Sequence, residues 1–155
     1  MKKHHHAIVK TVHPPYIVVA LLLMAAALYA YTNLGKIIFF PETILGAILF
    51  AGGFTMCLWA FGLFRKHKLN IKPADETTEI ITYGPYELTR NPMYLGMTLM
   101  LLGVGFVIGS LPFFFPAIIF FTIMNFIYIP FEEDKISKAH GEKYHTYKKK
   151  VRRWL

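Results

Sequence analysis

Between Thr43 and Phe64 the chain reads "TILGAILFAGGFTMCLWAFGLF", 22 residues without a charged side chain. Wound as a helix at about 1.5 Å per residue, such a run crosses a hydrocarbon core of about 30 Å. The rest of the composition points the same way. Of 155 residues 55% are hydrophobic and 17% are charged, where soluble domains carry about 25% charged residues. The sequence reads as an all-α integral membrane protein, 1–155 forming a single membrane-embedded domain.

Three further apolar runs flank this one, giving about four transmembrane helices with spans near 16–34, 43–64, 92–109 and 112–130. After them the spacing predicts a C-terminal amphipathic interfacial helix over 132–150. The basic residues set the orientation. Lys2, Lys3 and Lys10 precede the first span, and Arg65, Lys66, Lys68, Lys72 and Arg90 lie between the second and third. The tail carries Lys135, Lys138, Lys143, Lys148, Lys149, Lys150, Arg152 and Arg153, while the opposite loops hold only Lys36. An even number of spans puts all three basic segments, and both termini, on the cytoplasmic side. In a prokaryotic cell this is the inner membrane. The net charge of +8 and pI near 9.6 then follow from retained cytoplasmic Lys and Arg, and a nucleic-acid partner is not expected.

Other signals are weaker. Cys57 stands alone inside an apolar run and reads as packing. His4, His5 and His6 near a chain end make a poor metal site, and no metal is expected. Gly46, Gly52 and Gly53, and the pair Gly105 and Gly109, mark places where helices approach closely. No nucleotide-binding glycine fingerprint, phosphate loop or zinc spacing is present.

Chemistry is expected at two segments. The first, "YGPYELTRNPMYLG" from Tyr83 to Gly96, leads from the long cytoplasmic loop into the third span. Asn91 and Pro92 are start signals for a helix, with the asparagine side chain as cap and the proline in the first turn. The exposed N–H groups and positive dipole of that start, with Arg90 beside them, suit a carboxylate or phosphate. The plainer reading is that Arg90 marks orientation and the tyrosines form an interfacial belt. The second segment, "FEEDKISKAHGEKYHTYKKKVRRW", follows the fourth span. Glu133, Ile136, His140, Tyr144, Tyr147 and Val151 share one stripe, opposite Lys135, Lys138, Glu142 and Lys149. A carboxylate on the inward stripe is costly unless it meets a cation or donor. Glu132 lies at the stripe's edge, so the paired acids suit a ligand with positive charge. The basic tail reads as a contact for anionic lipids.

At these two segments the sequence resembles the integral-membrane methyltransferases of the isoprenylcysteine carboxyl methyltransferase and phospholipid methyltransferase group. The matching elements are Gly84-Pro85-Tyr86, Arg90-Asn91-Pro92-Met93-Tyr94-Leu95-Gly96, Glu132-Glu133, His140-Gly141 through Tyr144 and Tyr147, and Val151-Arg152-Arg153-Trp154. His140 stands where the group has phenylalanine, Arg152 where it has proline, and Asn91 resembles the phospholipid branch. The resemblance implies methyl transfer from S-adenosyl-L-methionine to a lipid or other amphiphilic acceptor at the cytoplasmic face. It implies a cofactor site lined by Arg90, Asn91, Pro92, Met93, Tyr94, Glu132, Glu133 and Tyr144. Glu133 and Arg90 are the expected catalytic pair, Glu133 as base or as support for the sulfonium. The acceptor is expected to be a phospholipid amine or an isoprenylcysteine-like carboxylate. Two alternatives stand beside this one: a sterol-reductase-like oxidoreductase using NADPH, and a non-enzymatic membrane protein with a lipid-binding tail.

Overall fold

The computed structural model describes residues 9, 12–32, 34–37, 40–67 and 80–155. His4, His5 and His6, Lys2, Lys3 and Lys10, and Lys68 and Lys72 lie outside the described residues. Within them the chain is helical, and no strand is present. The helices are α1 (Pro14–Thr32), α2 (Glu42–Lys66), α3 (Pro92–Ile108), α4 (Phe115–Ile123) and α5 (Ile129–Lys150). Short 3-10 turns at Gly84–Glu87 and Leu111–Phe113 precede α3 and α4, and a π turn, Met124–Tyr128, joins α4 to α5.

The ends of these helices follow from local chemistry. α2 has Glu42 in its first turn and Arg65 and Lys66 in its last, each of the sign that the helix dipole favours there. α3 begins with Pro92, which has no N–H to leave unpaired, and ends at Gly109 in the left-handed region at φ 72°, a conformation that glycine adopts without a Cβ clash. Among the described residues three helices are long and apolar enough to cross a membrane: Pro14–Thr32, Glu42–Lys66 and the continuous Leu111–Lys150. Pro92–Ile108 is apolar but shorter, at 17 residues.

One expectation changes here. The fourth apolar run and the tail helix form one continuous helical path, not separate elements, because Pro130 does not break it. Proline removes an N–H and crowds the carbonyl four residues earlier. That residue, Phe126, lies in the π turn, whose wider winding accommodates the ring. The backbone instead departs from helical geometry at Gly141, φ 49° and ψ −121°.

Glycines set the α2–α3 contact. A Cβ on Gly53 would stand 2.4 Å from the Gly96 carbonyl oxygen, and one on Gly103 would stand 2.6 Å from that of Gly46. The backbones therefore touch, as small residues permit between membrane helices. Gly52 faces open space, so the expected cluster divides: its neighbours pack and it does not. Gly105 lies against Phe113 and Phe114, while Gly109 is the helix stop of α3 and its carbonyl accepts the Ile37 N–H at 2.6 Å. The apolar core at the α1–α3–α4 contact is built on Leu21, Tyr94, Leu101, Phe120, Met124 and Tyr128. A second cluster, of Ala60, Ile81, Tyr86, Tyr144 and Tyr147, lies beside the start of α3. Many large apolar side chains of α1 and α2, Ile48 and Trp59 among them, remain exposed, as helices facing lipid require.

Candidate functional site

The inward stripe of α5 is seen in the structure: Glu133, Tyr144 and Tyr147 are buried, while Lys138, Glu142 and Lys149 are exposed. It carries α5 past the start of α3, and the segment after it returns to tie the two together. The Arg90 backbone N–H donates to the Arg152 carbonyl at 3.0 Å. The Thr89 hydroxyl and the Asn91 side-chain amide both donate to the Arg153 carbonyl, at 3.0 and 2.8 Å. Asn91 thus occupies the cap position of α3 without capping it. Its side-chain N–H turns to the tail, its own backbone N–H donates to the Thr89 hydroxyl at 3.2 Å, and its side-chain oxygen does not cap α3.

Arg90 works in two directions. One terminal nitrogen donates to the Val151 carbonyl at 2.7 Å and the Lys148 carbonyl at 3.3 Å, carbonyls at the C-terminal end of α5 that need donors. The other donates to Glu133 Oε1 at 2.6 Å. Arg153 meets the same carboxylate through Nε at 3.3 Å and through a terminal nitrogen to Oε2 at 2.8 Å, and Lys148 Nζ lies 3.5 Å from Oε2. Glu133, 8% exposed, is therefore enclosed by three cations. Burial by itself would raise its carboxyl, but the hydrogen bonds and charges of Arg153 and Arg90 outweigh burial and hold it below the usual carboxylate range.

Glu132 is its neighbour and its opposite. The apolar part of the helix ends at Phe131, so both acids lie just past it. Glu132 Oε1 accepts the Tyr94 hydroxyl at 2.6 Å, and Oε2 has no hydrogen bond among the described residues. Burial pushes this carboxyl up to about 7, against the Tyr94 hydrogen bond and the Lys135 charge, which lower it. Burial, and then the Glu132 charge, also raises the Tyr86 hydroxyl.

The remaining expected residues fall nearby. Pro92 is buried at the start of α3. Met93 packs on the Tyr86, Tyr144 and Tyr147 cluster, and its carbonyl accepts from Cys57 Sγ at 3.4 Å. Tyr147 donates to the Tyr86 carbonyl at 2.7 Å, joining the first motif to the fourth. Sequence reasoning missed Arg153, Lys148 and Asn125. The first two were grouped with the lipid-contacting tail, yet they turn toward Glu133. Asn125, in the π turn, accepts the Trp154 indole N–H at 3.0 Å and a more distant approach from Arg153 at 3.4 Å. The need of buried Glu133 for cations was the signal that could have found Arg153 and Lys148.

A phospholipid methyltransferase family model matches residues 41–143. The chain belongs to the phospholipid methyltransferase family. It is also 38% identical over 63 residues to an uncharacterized protein of Haemophilus influenzae, covering 41% of this chain and 100% of that one. No solved structure matches. Membership makes the protein a methyltransferase by family, acting on lipid-like substrates.

Proposed function

We propose that the protein transfers the methyl group of S-adenosyl-L-methionine to a membrane lipid or similar amphiphile at the cytoplasmic face, with an ethanolamine phospholipid as the first candidate acceptor. One observation carries the reading: the start of α3 and the acidic start of α5 meet through Arg90 with Glu133 and through Tyr94 with Glu132. These are the two segments whose motifs resemble the family's.

The side chains present fit the cofactor's chemistry. Arg90 Nε is buried without a hydrogen-bond partner among the described residues, and the N-terminus of α3 has no side-chain cap. Both suit the cofactor's carboxylate. Glu132 suits its cationic groups, and the faces of Tyr94 and Tyr144 suit the sulfonium and the adenine. When bound, the cofactor supplies an electrophilic methyl group on a positively charged sulfur. The protein's part is to hold donor and acceptor in line and to exclude water. Arg90 and Glu133 serve it by fixing the tail against α3. Anionic lipids at Lys149, Lys150 and Arg152, all exposed, complete the proposed partners, and four membrane crossings with both termini in the cytoplasm are the proposed topology.

Two experiments test the reading. Calorimetry should show binding of S-adenosylhomocysteine and not of NADPH. Incubation with labelled methyl donor and a total lipid extract should then label a polar lipid. Binding of NADPH alone would favour a reductase, and binding of neither would leave a structural protein.

A further inference from the structure

α5 makes two contacts that no straight helix can make. Glu133 and Lys148 stand 15 residues apart in sequence, yet Oε2 of one lies 3.5 Å from Nζ of the other. Ser137 and His145 stand 8 apart, with Oγ and Nε2 at 3.3 Å. At about 1.5 Å per residue a straight helix would separate the first pair by about 22 Å and the second by about 12 Å, beyond the reach of either pair of side chains. Both pairs straddle Gly141, the second close to it and the first further out. The helix is therefore folded at Gly141, and 142–150 returns beside 129–140 as a second arm.

The corner has a backbone cause. Gly141 stands at φ 49° and ψ −121°, the angles of the first central residue of a type II′ turn, which a Cβ closes to L residues. Nothing lies within 4 Å of the place that a Cβ would take. Space is no constraint there, so handedness alone requires glycine. The return arm brings to the start of α3 what a straight helix would carry away from it. Tyr144 and Tyr147 reach the cluster with Tyr86 and Met93. Lys148 and Arg153 reach Glu133, and the Val151 and Arg153 carbonyls reach Arg90 and Asn91.

We propose that Gly141 is a positioning residue for the cofactor site: its left-handed corner closes the return arm, and the closed arm completes the site at the start of α3. The proposal rests on the methyl-transfer reading above and adds to it a residue that acts only through Tyr144, Lys148 and Arg153. An L side chain at 141 sets backbone strain against the ion pairs and packing of the arm. The arm then opens, Tyr144 leaves the start of α3, and the cofactor is held less tightly although every group that meets it is still present in the chain.

The test uses the full chain in nanodiscs and compares Gly141→Ala with Gly141→D-Ala, the second made by semisynthesis. The two variants contain the same atoms. The mirror image of the Gly141 angles is an ordinary extended conformation, so the D residue fits the corner and the L residue does not. Spin labels on Asp134→Cys and Lys150→Cys, in a Cys57→Ser background, read the arms. In the wild-type corner their separation should fall well short of the about 24 Å of a straight helix. Gly141→Ala should lengthen it and weaken calorimetric affinity for S-adenosylhomocysteine by about 10- to 100-fold, and Gly141→D-Ala should return both to the values found with glycine. A D residue that binds no better than the L residue would overturn the proposal, as would labels at the straight-helix distance with glycine in place. Gly141→Ala with wild-type affinity would overturn the positioning role, whatever the arm does. Where Gly141→Ala does not fold, Gly141→D-Ala decides alone: wild-type distance and affinity support the corner, and loss of either overturns it. Wild-type protein that keeps the short distance but does not bind S-adenosylhomocysteine would overturn the methyl-transfer reading, and the positioning role with it.

Discussion

Two of the contacts that hold α3 share almost no chemistry. Along its flank it meets α2 through Gly53 against Gly96 and Gly46 against Gly103, backbone to backbone. At its beginning it is tied to α5 and the tail by Arg90, Asn91, Tyr94 and the carbonyls of Val151, Arg152 and Arg153. The difference reflects the solvent on each side. Lipid is as apolar as a leucine side chain, so burying apolar surface there gains little, and close packing of small residues must hold the flank together. Past the apolar part of the helices, charged hydrogen bonds fix geometry that van der Waals contact cannot. One end is assembled by the absence of side chains and the other by their charges.

Breaking the charged end should cost most. Glu133→Ala leaves Arg90 and Arg153 facing each other without an anion, and should lower stability by about 3–5 kcal/mol, read as a lost or strongly shifted thermal transition in detergent. Gly53→Ala attacks the flank. Its methyl group would stand 2.4 Å from a backbone oxygen, and separating the helices to admit it should cost about 1–3 kcal/mol. The same assay reads it, with the charged network left in place.

The two acids also divide by pH, with opposite signs. Glu133 is held below the usual range, so its stabilisation is complete above that range and is lost only as the pH falls through its lowered folded value. Glu132 is raised from 4.5 to about 7. The folded protein therefore keeps a proton that the unfolded chain releases between those values, and stability should fall as pH rises across the window. Compared with Glu132→Gln, the wild-type protein should lose about 1–2 kcal/mol between pH 5 and 7, a figure reduced for the carboxylate's partial exposure. Parallel melting curves would remove the idea. The smallest effect is expected from Gly52→Ala. With nothing within 4 Å of its Cβ position, it should change stability by no more than about 0.5 kcal/mol, one residue away from a substitution that disrupts the bundle.

Much of this architecture could be read before folding. Apolar runs fix helices because lipid leaves the backbone no other partner, and the segments around 14–32, 42–66 and 92–108 came out within a few residues of expectation. A cation beside Glu133 was legible, because a buried acid demands one, but it was expected from a ligand and not from Arg90. Arg153 and Lys148 were not legible, because a Lys- and Arg-rich tail is also what orientation in a membrane produces, and composition cannot say which cation turns inward. Asn91 carried the sequence signature of a cap, but the Arg153 carbonyl, which also accepts from Thr89, drew its side-chain N–H. Nor could periodicity reveal the π turn, since one extra residue changes the phase of a pattern without leaving any mark in its composition.

That turn sets the angular relation between what lies above it and what lies below. In an ordinary α-helix each residue advances the direction of side chains by about 100°. The surplus winding at Met124–Tyr128 lets α4 press Phe120 into the bundle while α5, on the same rod, aims Glu133 at Arg90. Wound without it, one of those two aims would be missed, so the ionic junction depends on a local looseness in an element that otherwise looks like the stiffest part of the protein.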